Sequence, residues 1–422
     1  MEIQKLYSIY LDFPQVCTDT RKVLPNSMFF ALKGDNFNGN KFAQKALDSG
    51  CSYAIVDEPI DENNPNIILV PDVLETLQNL ANYHRNQIDL TVIAVTGSNG
   101  KTTTKELAYE VLQSHKKTFK TPGNFNNHIG LPLSLLKIEA NTDIAILEMG
   151  DSVRGDVELL CQIAEPNYGL ITNIGKDHIG GFGSMENNIL AKKEIIDYLV
   201  QSGGTFFMND EDPMVTKLVP SNLNTLHYGS SLIELASPGP LLNFKVKGTT
   251  YSTQLFGDYN IHNIRLAYIM GKTFGVDEST MLSAITNYTP KSNRSELVKT
   301  DKNTLILDAY NANPSSVEVA LDSFAKIQNA SEAWVILGDM LELGEISNHE
   351  HQSIANKVAE LGFQQAVFIG AEYYQTEHFS SFHYFIEKEE AVDFIKNKSI
   401  DSAQILLKGS RGLQLETLVD LL

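Results

Sequence analysis

A chain of 422 residues, 42% hydrophobic and 20% charged, has the length for two or three domains with ample cores and the composition of an ordinary globular protein. Its formal net charge of −19 repels nucleic acid and anionic membranes at long range, so an anionic ligand must be met by individually placed lysines and arginines. No long apolar run occurs and residues 1–14 lack the basic-then-apolar pattern of a signal peptide, which argues against membrane insertion and makes the cytoplasm the expected compartment.

The first segment, residues 1–86, carries the apolar strand candidates Met28-Phe29-Phe30-Ala31-Leu32, Tyr53-Ala54-Ile55-Val56 and Ile67-Ile68-Leu69-Val70, with helical patterns over 41–47 and 74–83. A small α/β unit is expected. Asp19-Thr20-Arg21 and Lys33-Gly34 gather hydroxyl, cation and flexible backbone, and read either as an anion site or as a solvated turn with a surface lysine. Cys17, Cys51 and Cys161 are far apart in sequence and lack metal-ligand spacing, so reduced thiols are expected.

The second segment, 87–295, opens with the apolar run Val92-Ile93-Ala94-Val95, then Thr96-Gly97-Ser98-Asn99-Gly100-Lys101-Thr102-Thr103-Thr104, then an amphipathic stretch with Leu107, Ala108, Val111 and Leu112 at helical spacing. Strand, tight glycine loop and helix make a phosphate cradle. The glycines let the backbone approach an anion, helical N–H groups point at it, Lys101 adds charge, and the Thr102 hydroxyl can ligate Mg²⁺. Only the short TGxxGKT form is present, because Val95 stands where a full P-loop has its first glycine. The loop Gly123-Asn124-Phe125-Asn126-Asn127-His128-Ile129-Gly130 offers amides that reach phosphate oxygens or fix the loop itself.

Two further apolar runs end in chemistry-bearing residues: Ile144-Ala145-Ile146-Leu147 in Glu148, and Leu170-Ile171-Thr172-Asn173-Ile174 in Asp177-His178. In a buried parallel sheet, Gly97, Glu148 and His178 would all fall beyond the carboxyl ends of strands, where ligands sit. A carboxylate and an imidazole there can hold Mg²⁺ beside the phosphates. If 189–200 is helical, Lys192 lies inside the stripe of Ile189, Ile195, Ile196 and Leu199, so it has a partner or a perturbed pKa, or else snorkels to water. After a polar, strand-like region over 203–257, Asn260 or Asn263 leads into a helix and can read a base edge or cap it. The connector Pro290-Lys291-Ser292-Asn293-Arg294-Ser295 offers Arg294 as a phosphate clamp at a hinge.

The third segment, 296–422, alternates strand candidates at 304–307, 334–337, 366–369 and 404–407 with helical patterns, as a second doubly wound sheet does. Its strand ends carry Asp308-Ala309-Tyr310-Asn311-Ala312-Asn313-Pro314, Gly338-Asp339-Met340 and Lys408-Gly409-Ser410-Arg411. It has no second phosphate loop, and is expected to bring another substrate to the nucleotide.

Taken together, DTR and FFALKGDNFNGN, TGSNGKTTTKE, GNFNNHIG, LEMG, HIGGFGS and AKKEI, then LDAYNANPSS, LGDMLELGE and LLKGSRG resemble the Mur ligases of peptidoglycan synthesis over nearly the whole chain. The resemblance implies an α/β fold of three domains: a UDP-sugar domain (1–86), a central P-loop-type ATP domain (87–295) and a Rossmann-like domain for the amine substrate (296–422). It implies a monomer that joins D-alanyl-D-alanine to the terminal carboxylate of UDP-N-acetylmuramoyl-tripeptide through an acyl phosphate, with ATP and Mg²⁺ at two sites. Gly97, Ser98, Asn99, Gly100, Lys101, Thr102 and Thr103 would hold phosphate, Asn263 adenine, Arg294 phosphate and Asp308 ribose. Thr102, Glu148, His178 and a carbamylated Lys192 would be metal ligands. Asn126 and the catalytic candidate Asn127 would lie near the reacting phosphate, with Lys101, His178 and Lys192 also catalytic. Asp19, Thr20, Arg21 and Lys33 match the UDP-sugar end, and Tyr310, Asn311, Asn313, Lys408, Ser410 and Arg411 the dipeptide rim. In two places the chain departs from the family pattern: HIGG replaces an HLE-type continuation, and SNR a GR-containing connector.

Three other readings are weaker. A sister ligase would add one free amino acid. A P-loop phosphotransferase or switch would need a hydroxyl acceptor or a guanine-reading NKxD signal, which is absent. A non-catalytic UDP-sugar-binding scaffold would not need Lys101, Glu148, His178 and Lys192 together.

Overall fold

In the computed structural model of the protein, which describes residues 1–61, 63–236, 239, 241–327 and 333–422, the apolar runs become three sheets with helices packed against them. The first sheet is parallel, in the order Gln15–Cys17, Ser27–Phe30, Tyr53–Val56, Ile67–Leu69. Helix Val73–Asn86 follows it, started by the Asp72 carboxylate accepting from the Glu75 N–H. An unanticipated helix, Ile3–Asp12, buries Leu6 and Tyr10. Both helices join the apolar core beneath the central sheet, where Leu77 and Leu80 meet Leu131 and Leu135. Cys17 and Cys51, remote in sequence, come to 3.7 Å between sulfurs, with the Ser27 hydroxyl 3.2 Å from Cys51. The sheet order causes this, since one ends the first strand and the other precedes the third. All three thiols are free.

The central sheet is also parallel, in the order Asn224–Tyr228, Thr205–Asn209, Tyr168–Ile171, Thr91–Thr96, Ile144–Glu148, Thr118–Lys120. Its strands read as continuous apolar runs because both faces are covered. Val92 and Ala94 face the layer containing Ile195 and Leu199, while Ile93 and Val95 face the layer of Leu107, Val111 and Ile264. Register sets Glu148 opposite Val95 and Ile171 opposite Thr96, so three strands end side by side. The polar region that follows folds partly into a small antiparallel sheet of Glu234–Leu235, Asn243–Val246 and Thr249–Ser252.

The third sheet runs Glu296–Lys299, Thr304–Asp308, Gln404–Lys408, Trp334–Gly338, Gln365–Ile369, His383–Phe385, parallel except for its first pair. Chain crossovers of this kind leave strand carboxyl ends open for ligands. Among the described residues no helix is long and apolar enough to cross a membrane.

Candidate active site

The buried strand Thr91–Thr96 delivers its chain into a loop that two glycines make possible. Gly97 has φ +131°, and a Cβ there would meet Thr172 Oγ1 at 2.2 Å; Gly100 has φ +84°, with Asn263 Oδ1 at 2.7 Å from the equivalent point. Helix Lys101–Leu112 begins directly afterwards without a side-chain cap, so its first N–H groups remain available to an anion. The segment after Tyr168–Ile171 clamps the loop from behind. Asn99 N donates to Asn173 Oδ1 at 3.1 Å, and Asn99 O accepts from Thr172 Oγ1 and Asn173 Nδ2 at 2.6 and 2.8 Å. Ser98 Oγ donates to Asp177 and accepts the Gly175 N–H at 2.8 Å. Lys101 folds back onto the Gly97 carbonyl.

At the end of the neighbouring strand Glu148 is buried, and three side chains hold its carboxylate. Thr102 Oγ1 donates to Oε2 at 3.0 Å, Asn126 Nδ2 to Oε1 at 2.9 Å, and the fully buried Lys105 ammonium stands 3.1 Å from Oε2. Burial pushes this carboxyl up, but Lys105, Arg294 and Lys101 overcome it and hold the group below its ordinary value. Mg²⁺ takes one or two protein ligands and keeps waters and phosphate oxygens as the rest, so a hydroxyl and a carboxylate this close fit its chemistry. Among the described residues no group of three or more His, Cys, Asp or Glu is arranged as a metal cage.

Lys192 lies on helix Met185–Ser202 and is fully buried with Ile195, Ile196 and Leu199, as helical spacing anticipates. Its ammonium is 3.0 Å from Asp151 Oδ2 and 3.2 Å from Asp177 Oδ1, and lies 5.0 Å from the centroid of the Phe182 ring. Asp151 Oδ1, Asp177 Oδ2 and Asn188 Oδ1 are buried here without a hydrogen-bond partner. Spare oxygens around a buried cation are what a further cation or donor would satisfy.

His178, at φ +49°, points across to the third sheet's loops, with Nδ1 2.5 Å from Glu342 Oε2. The same seam carries Gly180 N to Glu342 O at 2.9 Å, Lys176 Nζ to Glu350 Oε1 at 2.7 Å and Lys176 N to Ser315 Oγ at 2.9 Å. A Cβ on Gly180 would lie 3.1 Å from Glu342 O and Gly344 N, and one on Gly344 2.9 Å from the Gly180 Cα. That close approach gives HIGG a physical reason: a side chain at position 180 would press on the Glu342–Gly344 backbone.

Facing the phosphate loop, Arg294 stacks on the Tyr310 ring at 3.7 Å and Arg411 lies 5.4 Å from the same centroid. Asp308 is held by Lys408 Nζ at 2.6 Å and by the Ser295 N–H at 3.2 Å. Lys408 also donates to Asn311 O at 3.2 Å. Asn313 starts helix Pro314–Ile327 by accepting from Ser316 N and reaches across to Asn99 Oδ1 at 2.9 Å. Ser410 does not face the opening, since its hydroxyl bonds the Asp339 carbonyl and the Leu341 N–H. Asn127 Oδ1 accepts from the Ile129 and Gly130 N–H groups just ahead of the short helix Gly130–Leu135, and Asn263 bonds Thr104 and Asn260.

One cavity of about 1030 Å³ lies between these two walls. Ser98 to Thr103, Asn126, Asn127, Glu148, His178, Asn263, Arg294, Asp308, Tyr310, Asn311, Asn313, Lys408 and Arg411 all line it. Gly97, Lys192 and Ser410 lie behind its surface. Asp19, Thr20, Arg21 and Lys33 are not brought to it. Asp19 and Arg21 pair with each other at 2.8 Å, and Lys33 is held by Asp57 and Glu58 at 2.8 and 3.1 Å.

Sequence reasoning missed Lys105, Asp151 and Glu342 as members of this constellation, and named Asp177 beside His178 without a role for it. Lys105 carries a weaker signal than Lys192, since at 100° per residue it falls at the edge of the stripe of Leu107, Ala108, Val111 and Leu112 rather than inside it. Asp151 and Glu342 are loop carboxylates with no periodicity to betray them.

The chain is similar to known proteins over nearly its whole length. The Mur ligase middle domain matches residues 95–271, and the Mur ligase, glutamate ligase domain, matches residues 293–411. The chain is 34% identical to the UDP-N-acetylmuramoyl-tripeptide–D-alanyl-D-alanine ligase of Bacillus subtilis, covering 96% of this chain and 92% of that one. A MurF crystal structure from Acinetobacter baumannii superposes with a TM-score of 0.88 at 27% identity, over 99% of this chain and 97% of that one. MurF ligase from Thermotoga maritima in complex with ADP gives 0.85 at 26% identity, over 97% of each chain.

Proposed function

The chain belongs to the Mur ligase family, and from that premise we propose that it joins D-alanyl-D-alanine to the terminal carboxylate of UDP-N-acetylmuramoyl-tripeptide, converting ATP to ADP and phosphate. The observation that carries the reading is the single cavity with a phosphate loop on one wall and the Asp308–Arg411 rim on the other. The tripeptide carboxylate takes the γ-phosphoryl group, forming an acyl phosphate and ADP. The dipeptide amine then attacks the acyl carbon, and phosphate leaves.

On this reading residues 87–295 carry the nucleotide, residues 296–422 the dipeptide and residues 1–86 the UDP end. Lys101 and the helical N–H groups spread the charge of the transferring group, and Asn126 orients Glu148 at its edge. Arg294, backed by the Tyr310 ring, adds a cation on the facing wall. Thr102 and Glu148 would hold Mg²⁺, which when bound neutralises phosphate charge, and His178 and Lys192 would serve a second ion. We assign Lys192 a carbamate, supported by its full burial and by the unsatisfied oxygens of Asp151 and Asp177. Such a group adds negative charge to two carboxylates and therefore needs a divalent counter-charge beside it. Both walls belong to one chain, which supports a monomer, and the nucleotide substrates support a cytoplasmic enzyme.

The deciding experiment supplies ATP, Mg²⁺ and UDP-muramoyl tripeptide and compares phosphate release with D-alanyl-D-alanine against single amino acids. Release with the dipeptide is expected; release only with a free amino acid overturns the assignment in favour of a sister ligase. For Lys192, activity lost in Lys192→Ala and restored by small added carboxylates supports the carbamate, whereas unchanged activity refutes a catalytic role.

A further inference from the structure

One turn after Lys101 on the same helix sits a second lysine that the roles above leave unused. Lys105 is fully buried, beneath the phosphate loop rather than in the cavity, among Leu107, Ala108, Val111 and Leu112. Two partners lie closest to its ammonium: Glu148 Oε2 at 3.1 Å and the Gly123 carbonyl at 3.3 Å. Glu106 is farther, at 3.7 Å, and is itself paired with Lys120.

We infer that Lys105 is a positioning residue for the ligase reaction: its ammonium ties the Glu148 carboxylate and the start of the 123–130 loop to the helix that carries Lys101 and Thr102. The inference rests on the ligase reading and deepens it.

Three observations carry the role. A buried ammonium is a poor way to stabilise a helix, because an apolar side chain of similar volume fills the space without the desolvation cost. Both near partners belong to the reacting region, since Glu148 also receives Thr102 and Asn126, and Gly123 opens the loop that carries Asn126 and Asn127. The donors on Glu148 come from two segments: Thr102 and Lys105 from the helix, Asn126 from the loop. Lys105 is the charged one, and it alone of the three also reaches the base of the loop at Gly123. Without it the carboxylate keeps two neutral donors and the loop loses its tie to the helix, so phosphate loop, carboxylate and amides no longer move as one body. Misplacement of a positioned group by about 1 Å costs about 10²-fold in rate.

The test begins with the wild-type enzyme, ATP, Mg²⁺, UDP-muramoyl tripeptide and D-alanyl-D-alanine. Failure at this stage strikes the ligase reading and not Lys105. With activity established, Lys105→Met is expected to lower kcat by about 10²-fold while the Kd for ADP moves by less than about threefold, because the loop glycines and Lys101 are intact. Lys105→Arg, which keeps charge and donors, is expected to recover most of the loss. Lys105→Gln, which keeps a donor without the charge, is expected to remain slow, and it replaces Lys105→Met if that variant does not fold. A folded Met or Gln variant with wild-type kcat overturns the inference. So does a loss of kcat that only tracks the folded fraction measured by circular dichroism, since that marks a purely structural ion pair.

Discussion

Two fully buried lysines, Lys105 and Lys192, stand on helices either side of the central sheet, and their surroundings differ by one buried carboxylate. Lys105 meets a single buried partner, Glu148, whose two oxygens are both occupied by donors. Lys192 meets two, Asp151 and Asp177, and each keeps one oxygen with nothing to accept from. The first cluster is balanced in charge and hydrogen bonding; the second carries an excess negative charge and spare acceptors. Burying unpaired charge is costly, so the balanced cluster suits a fixed support, and the unbalanced one is where additional positive charge is stabilising. On the roles proposed above, the difference separates a lysine that positions chemistry from one that takes part in it.

The sharpest way to break this contrast is Lys192→Met. Compared with the uncarbamylated, metal-free protein, whose Lys192 is an ammonium, it leaves two carboxylates facing each other without a counter-charge, and chemical denaturation should record a loss at or above the upper end of the about 3–5 kcal/mol typical of a broken buried pair. An equal or larger loss in Lys105→Met would remove the distinction.

Next in size is the comparison of Glu148→Gln with Asp151→Asn. Removing Glu148 leaves the Lys105 ammonium only the more distant Glu106, which Lys120 also claims, at a cost of about 3 kcal/mol, whereas removing one of two buried carboxylates leaves Lys192 paired with Asp177, at about 1 kcal/mol. The reverse order of melting temperatures would mean that the second cluster is not over-supplied with negative charge.

A smaller effect is expected from pH. Burial pushes up the carboxyls of both Glu148 and Asp177, but the neighbouring lysines hold both below their ordinary values of 4.5 and 3.8. A lowered folded pKa means stability fully present above the ordinary value and lost as pH falls beneath it. Melting temperature should therefore drop below about pH 4.5, and Glu148→Gln should flatten the upper part of that drop.

The smallest change in stability, though not in function, is predicted for Gly180→Ala. The second cluster adjoins the seam where Gly180 meets Glu342 and Gly344, and a methyl there presses on backbone. Small-angle scattering with an ATP analogue and both substrates should show less compaction than the wild type, with the folded core unchanged. Equal compaction would mean that the seam tolerates a side chain.

Much of this molecule was legible in local pattern. Continuous apolar runs gave the parallel sheets, Gly97 to Thr102 gave the phosphate loop, and 100° spacing put Lys192 inside its helix. The same spacing leaves Lys105 at the edge of its stripe, so its burial is decided by the Glu148 carboxylate and the Gly123 carbonyl that meet it in the fold. The N-terminal helix Ile3–Asp12 was missed, as its single buried pair, Leu6 and Tyr10, gives too short a period to stand out. At the connector, the proximity of Arg294 to Tyr310 and of Ser295 to Asp308 came from positive-φ backbone at Ser292, Asn293 and Ser295, which residue type does not announce.

By itself the sequence determined the long apolar strands of the sheets, the phosphate loop and several strand ends that carry chemistry, because these follow from neighbours a few residues apart. Tertiary structure alone decided the partnerships. Strand Thr91–Thr96 lies between Ile144–Glu148 and Tyr168–Ile171, and that order brings Glu148 to Lys105 and Asp177 to Ser98. The third sheet's position then sets Glu342 against His178 and Asn313 against Asn99. Such pairings depend on strand order and on the packing of whole layers, long-range choices whose energy is spread over the entire core and leaves no mark at the residues that meet.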